Sequence, residues 1–180
     1  MSASNKNRLE VQKILRDTVL DGLSALNESG WEVIEFANAS LQKSNKVILL
    51  NLVRNNRVGW QSEKDETIND ELKRTEEWIE EQSWQLHFIC KRVGTATVTD
   101  TLAEDLAGNM IVWLNGPGIE VLRSKGVAPL RIENTRVIVY NDNSDLYQKR
   151  AVFTVKIQVP KELTFEQEEL EAIQPKLKPI

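Results

Sequence analysis

The chain has 180 residues, 41% of them hydrophobic and 28% charged, which is ordinary for one globular domain. The net charge of −4 and the absence of a basic stripe argue against a nucleic-acid-binding protein. No apolar run approaches the roughly 20 residues that cross a bilayer, and the polar start lacks the apolar core of a signal peptide. A single cysteine, Cys90, cannot form an internal disulfide. We therefore expect a cytoplasmic protein that binds neither a membrane nor a specific nucleic-acid sequence.

The first fifty residues predict one helix and two strands. Apolar residues recur at helical spacing over residues 11–26, and the polar residues 27–30 end that helix. Residues 31–36 have an extended pattern. Residues 46–53 are apolar on both faces, short and bounded by polar clusters, which favours a buried central strand over a helix.

Residues 63–82 hold many more acids than bases and carry two conflicting patterns. Ile68, Leu72 and Ile79 lie at helical spacing, whereas residues 84–90 alternate as a strand. We predict a loop or short helix up to about residue 74, followed by a strand through residue 92. Repulsion among the glutamates predicts a solvated, mobile segment before that strand.

The next segment predicts a helix with a defined start and end. Thr101 and Glu104 have the spacing of a capping box, and apolar side chains follow on one stripe as far as Trp113. Residues 116–118, Gly-Pro-Gly, end this helix, and a short second helix or turn is expected over residues 119–124.

Two strands joined by an Asn/Asp-rich turn are predicted over residues 136–159. The second strand alternates, with Ala151, Phe153, Val155, Ile157 and Val159 on one face. Alternation of this kind buries one face of an antiparallel sheet. We predict a single α+β domain over residues 1–160, with a twisted antiparallel sheet and helices packed on one side. Residues 161–180 are expected to form an acidic, partly flexible tail with a short helix at 165–173.

The only histidine, His87, lies three residues before Cys90 on a predicted strand. Residues three apart on a strand face opposite sides, so these two cannot form a nucleophile pair. No phosphate-binding glycine motif occurs, and the inventory cannot supply a Cys/His zinc site. We therefore expect a protein without catalytic, metal or cofactor sites.

The turn between the last two strands resembles the opening of a calcium loop at Asn141, Asn143 and Asp145. Leu146, however, stands where the sharp turn of that loop needs glycine, and Val152 where it needs a bidentate glutamate. A plain turn explains these residues, because Asn and Asp tolerate left-handed backbone and bond their own backbone.

Two of the five tryptophans flank the acidic segment, at the expected ends of neighbouring strands. These are Trp60 and Trp78. Two explanations remain for each of them: contact with a partner protein, or ordinary partial burial. Trp84 and Trp113 lie on predicted core faces and are explained by packing. Tryptophan is enriched at interfaces because it combines a large apolar area with a hydrogen-bond donor.

The chain resembles the neck and tail terminator proteins of tailed bacteriophages and their prophage-encoded relatives. The resemblance rests on the helix RLEVQKILRDTVLDGL, the strands KVILLNLV and WQLHFICKRV, the helix TLAEDLAGNMIVWL and the closing YNDNSDLYQKRAVFTVKIQV. It covers roughly residues 8–160 and includes no catalytic signature.

This resemblance implies an α+β tail-terminator fold and a ring, usually a hexamer, that caps the tail tube and joins it to the head connector. It implies partnership with copies of the same chain, with tail tube protein and with the head–neck connector protein, in the host cytoplasm and then in the virion. A ring with head-to-tail contacts needs two different patches on each subunit. The expected contacts are a sheet edge, the loop 54–75 and the turn 141–149. The candidate residues are Arg54, Arg57, Trp60, Trp78, Asn141, Asp142 and Asn143.

One further hypothesis and two rival functions stay open from the sequence. Glu76, Glu77, Glu80 and Glu81 would repel DNA if they faced the lumen of a ring. The protein could instead be another tail component, such as a tube or baseplate initiator. A small non-catalytic adaptor that binds one protein partner is the rival from a different class.

Overall fold

The computed structural model describes residues 6–35, 45–68, 71–90, 99–130, 132, 136–141 and 147–166. These residues form three helices and a six-stranded sheet, which is the α+β fold that the sequence predicts. The helices are α1 (Arg8–Ala25), α2 (Thr99–Leu114) and α3 (Pro117–Ser124). The strands are β1 (Trp31–Glu35), β2 (Lys46–Ile68), β3 (Glu71–Cys90), β4 (Ala128–Pro129), β5 (Arg136–Asn141) and β6 (Tyr147–Glu166).

The sheet has the strand order β1-β2-β3-β6-β4, and β5 also pairs with β6. Strands β2, β3 and β6 pair antiparallel, as do β4 and β5 with β6. Strand β1, however, runs parallel to β2, so the sheet is mixed and not wholly antiparallel as predicted. The side-chain pattern that predicts β1 as a strand carries no information on the direction of its partner.

The three helices pack on the same side of the sheet, and the main core lies between them and the sheet. Even-numbered residues of β3 point into it, among them Trp84, Leu86 and Phe88. Phe88 stacks on Phe153 of β6, with ring centroids 5.3 Å apart. Helix α2 packs on β3 and β6, and α1, which packs on β1, α2 and α3, adds a buried stripe of Val11, Leu15, Val19 and Leu23 to the same core. This arrangement confirms the prediction that the helices pack on one side.

Both ends of α1 follow from local chemistry. The Asn7 side chain accepts a hydrogen bond from the Glu10 amide, and the Glu10 carboxylate accepts one from the Asn7 amide, which makes a capping box. At the other end Asn27 has a φ of 57°, the left-handed conformation in which helices commonly end. The helix therefore begins and ends close to where the apolar spacing predicts.

Helices α2 and α3 confirm a helix pair broken at residues 115–116. The sequence predicts Thr101 as the N-cap of α2. The helix instead begins at Thr99, so Thr101 lies inside its first turn. Pro117 occupies the start of α3, where its missing N–H costs no hydrogen bond. Gly22 of α1 and Gly118 of α3 allow close approach of the Trp113 indole, because an added Cβ would lie 2.9 Å and 2.8 Å from its ring atoms.

The largest departures from prediction concern residues 54–75 and 161–166. The loop or short helix predicted up to about residue 74, and the contact loop predicted at 54–75, are both strand on either side of residues 69 and 70, because β2 runs to Ile68 and β3 starts at Glu71. Strand β6 continues through Pro160 to Glu166, into the predicted tail. Proline is tolerated there because, among the described strands, only β3 pairs with β6 at that residue. The predicted helix at 165–173 is therefore wrong at Phe165 and Glu166, and its remainder lies outside the described residues.

Candidate assembly surface

A three-stranded arm extends the sheet beyond the main core. We define the arm as residues 58–68 of β2, 71–79 of β3 and 160–166 of β6, which pair side by side. Residues 61–67 of β2 are all exposed. The paired residues Ile68 and Glu71 close the β2–β3 ladder at its tip. The acidic segment is thus an ordered part of the sheet, and not the mobile loop that charge repulsion predicts.

Two irregularities in β2 mark where the arm begins. The pairing with β3 shifts once between Leu52 and Arg54 and again between Val58 and Ser62. The second shift leaves residues 59–61 opposite Trp78 alone, and Gly59 there has a φ of 84°. Bulges of this kind bend a strand and increase its twist. Glycine suits the position because residues with a side chain rarely adopt a positive φ.

A chain of hydrogen bonds connects the base of the arm to the core. The indole Nε1 of buried Trp84 donates to Gln82 Oε1 at 3.0 Å, and Gln82 Nε2 donates to Glu80 Oε2 at 3.4 Å. Asn55 Nδ2 of β2 donates to Glu80 Oε1 at 2.8 Å. Gln82 is only 1% exposed, so these bonds satisfy an amide that would be costly to bury alone.

The same carboxylate reaches the third strand of the arm and the start of α1. Lys161 Nζ of β6 lies 3.4 Å from Glu80 Oε2, and both side chains are largely buried. The same ammonium also donates to the backbone carbonyl of Lys6, just before α1. Glu80 therefore receives a contact from each neighbouring strand and is the central residue of this junction. We call Asn55, Glu80, Gln82, Trp84 and Lys161 the junction network.

The structure brings together two of the predicted interface residues. The guanidinium of Arg57 lies 4.2 Å from the ring centroid of Trp78, a cation–π contact. Arg57 and Arg54 are exposed, and Trp78 is partly buried. Trp60 lies in the second bulge of β2.

The other predicted interface residues lie at the turn between β5 and β6. Asn141 ends β5, opposite Tyr147 of β6. Asp142 and Asn143 lie outside the described residues. The role of all seven residues as contacts remains a prediction.

The arm has one charged pair across the β2–β3 ladder, Asp65 with Arg74, and one along β2, Lys64 with Glu66. Arg74 Nε donates to Asp65 Oδ1 at 2.8 Å, and this hydrogen bond holds the pKa of Asp65 below its usual range. The hydrogen bond to Glu66 raises the pKa of Lys64. Opposite charges across a ladder stabilise it, which helps a charged sequence to form strands. These pairs are exposed, so solvent screens them.

The glutamates of the arm region do not share one surface. Alternation along β3 places Glu76 and Glu80 on the side of the helices, and Glu77 and Glu81 on the opposite side. The four therefore form no single acidic surface, and whether they face the lumen of a ring remains a prediction. Glu63 lies directly opposite Glu76, and this like-charge pair leaves the helix side of the arm acidic near its tip.

His87 and Cys90 lie on opposite faces of β3, as predicted from their spacing. Cys90 belongs to the main core, whereas His87 is on the other face and only 5% exposed. Burial, together with the nearby charge of Arg150, lowers the pKa of His87, so the imidazole is neutral at pH 7. Across the described part of the chain, no group of His, Cys, Asp or Glu residues is arranged to hold a metal ion.

The geometry defines an α+β protein whose distinctive surface is an arm. A sequence model described as E217 gateway protein gp29 matches residues 10–168, from α1 to just beyond the end of β6. The chain belongs to this family, which is related to phage head–tail connectors. It is thus a phage structural protein of the neck or connector. No curated protein matches the chain significantly. None of the described helices is long and apolar enough to cross a membrane.

The sequence alone did not reveal the junction network. Glu80 and Gln82 lie in a run of similar acids and amides, and only their pairing with Asn55 and Lys161 distinguishes them. The sequence offered one signal. Trp84, Leu86 and Phe88 alternate on the core face of the strand, and the same alternation extended toward lower residue numbers reaches residues 82 and 80. Following that alternation would have assigned Gln82 and Glu80 to the buried side.

Proposed function

We propose that the protein is a tail terminator: a ring that caps the tail tube and joins it to the head connector. The observation that carries this proposal is the family match, which includes the whole arm and nearly all of the described fold. The partners would be copies of the same chain, tail tube protein and the head–neck connector protein. The protein would act by binding alone, without catalysis or a cofactor, in the host during assembly and then in the virion.

The arm supports a role in assembly because it exposes two strand edges. Beyond residue 50 of β2 and beyond residue 158 of β6, each strand pairs with β3 and with no other described strand. Exposed edges of this length are surfaces on which another chain can add. Arg54, Arg57, Trp60 and Trp78 lie along this region, with Asn141, Asp142 and Asn143 as a second set of proposed contacts.

Removal of the protein from a phage that encodes it tests this proposal. Particles that lack a terminator should contain full heads and separate tails, with tail tubes of irregular length in electron micrographs. The wild-type chain supplied in trans should restore joined particles. Normal attached tails in its absence would contradict the proposal. Tails of normal length that fail to attach would indicate a connector role without termination.

A further inference from the structure

The solvent side of α1 carries two exposed leucines with two cations between them. Leu9 is 71% exposed and Leu20 37%, and Lys13 and Arg16 are also exposed. Steps of four, three and four residues place these four side chains along one side of a helix. We call them the outer stripe. The stripe runs along the exposed flank of α1, next to the side that is buried in the core, and its residues Arg16 and Leu20 lie beside β1.

The side of the arm that faces away from the helices carries a row of apolar residues. Val58, Ile79 and Pro160 are direct neighbours across β2, β3 and β6. Ile79 is 41% exposed and Pro160 is also exposed. We call these three residues the apolar row.

The rows on either side of the apolar row contain acids and no base. Ser62, Glu77 and Glu162 pair on the side of the tip, and Asn56, Glu81 and Gln158 pair on the side of the core. An apolar centre with acids on both sides fits a partner that presents an apolar group beside a cation.

The outer stripe and the apolar row cannot meet within one chain. The helices pack on the even-numbered residues of β3, and Ile79 lies on the opposite face of an uninterrupted β3–β6 ladder. The outer stripe therefore lies on a helix beside β1, whereas the apolar row lies on the face of the arm that the helices do not cover. Any contact between them joins two copies of the chain.

The spacing of one leucine and one cation in the stripe matches the spacing of Ile79 and Glu77 along β3. Neighbours three or four apart on a helix lie about 5–6 Å apart, and alternate residues of a strand about 7 Å apart. Leu20 placed on Ile79 therefore brings Arg16 close to Glu77. Arg16 Nε donates to the carbonyl of Val33 at 3.2 Å, which holds its guanidinium at the edge of β1, where its other N–H groups can reach a carboxylate of a second copy.

We propose that the outer stripe of one copy docks on the apolar row of the next. The contact is heterologous, because each copy uses two different surfaces, and repetition closes a ring if the rotation permits. This inference deepens the proposed function by naming the two faces of the subunit interface, and it rests on that function for the biological role of the assembly.

Cysteine crosslinking of the full chain tests this arrangement. Chains carrying Leu20→Cys or Ile79→Cys are prepared separately, each at the concentration where light scattering shows assembly, with tail tube protein present if assembly needs it. Each variant alone should give no disulfide-linked dimer, because like residues do not meet at a heterologous contact. A mixture of the two should give one. The matched control mixes Val112→Cys, at a residue of α2 that is 74% exposed, with Ile79→Cys.

Charge reversal provides the second measurement. Arg16→Glu and Glu77→Lys should each weaken self-association about fivefold, and the double variant should recover most of the loss. Arg123→Glu, on the exposed part of α3, is the matched control and should have no effect.

An assembly that forms with its expected mass but gives no Leu20–Ile79 crosslink overturns this inference and leaves the proposed function intact. A chain that remains monomeric alone and with tube protein, without crosslinks, overturns both.

Discussion

Replacing Trp84 with alanine is expected to lower the free energy of unfolding by about 3–5 kcal/mol. The side chain is 1% exposed and is among the largest fully buried side chains, so truncation leaves a cavity in the main core. It also removes the donor at 3.0 Å to Gln82 Oε1, a buried acceptor. Urea unfolding followed by circular dichroism measures this change.

Two further variants separate packing from hydrogen bonding. Trp84→Phe keeps most of the apolar volume but removes the indole N–H, so a smaller loss of about 1–3 kcal/mol is expected. Val112→Ala alters a side chain that is 74% exposed and should change stability by less than about 0.5 kcal/mol. A loss below about 1 kcal/mol for Trp84→Ala would show that this residue does not connect the arm to the core as described.

Replacing Glu80 with alanine is expected to lower the free energy of unfolding by about 1–3 kcal/mol. The change removes the acceptor for Asn55 and Gln82 and leaves the largely buried Lys161 ammonium without this ion pair. Because the contacts join all three strands at the base of the arm, its amides should also exchange faster with solvent. Hydrogen–deuterium exchange over residues 62–77 and 161–166 measures this, with peptides of α1 as the internal reference.

The matched control for Glu80 lies three residues away on the other face. Glu77→Ala removes the same charge from an exposed position and should leave both stability and amide exchange nearly unchanged in the monomer. Glu80→Gln keeps the acceptor for Asn55 and should lie between alanine and the wild type. Equal exchange in the Glu80→Ala and Glu77→Ala chains would contradict a positioning role for Glu80.

The helices and the core strands could be predicted because their side chains have clear periods. Val11, Leu15 and Val19 recur at the helical period, and Phe153, Val155 and Ile157 alternate. Each pattern is a direct consequence of one buried face. The direction of β1 could not be obtained in this way, since parallel and antiparallel partners produce similar patterns on a single strand.

The arm could not be predicted because its stability depends on partners distant in the sequence. Asp65 and Arg74 form a pair only after the hairpin has set their register. Thr75 contacts Thr164 across a separation of 89 residues. The local composition of residues 63–82 favoured a loop because it contains many acids, and the residues that pair with these acids across the strands cannot be recognised from the sequence.

Sequence reasoning selected two residues that contact each other within the chain, while their role in an interface remains a prediction. Trp78 and Arg57 were selected for residue type and place, and the structure shows them in contact at 4.2 Å. The outer stripe was missed because an exposed leucine in an amphipathic helix is common and carries no signal by itself. The spacing of the stripe suggests an interface only when it is compared with the apolar row of the arm and the acids beside that row.

The central claim is that the chain forms a ring at the end of the tail tube. The most direct test is the mass of the particle by light scattering, for the chain alone and with tail tube protein, at low and moderate salt. A ring of six copies of the 20.6 kDa chain would have a mass of about 124 kDa, alone or only when tube protein is present. A monomer or dimer whose mass does not change with tube protein would contradict the claim and favour a small adaptor.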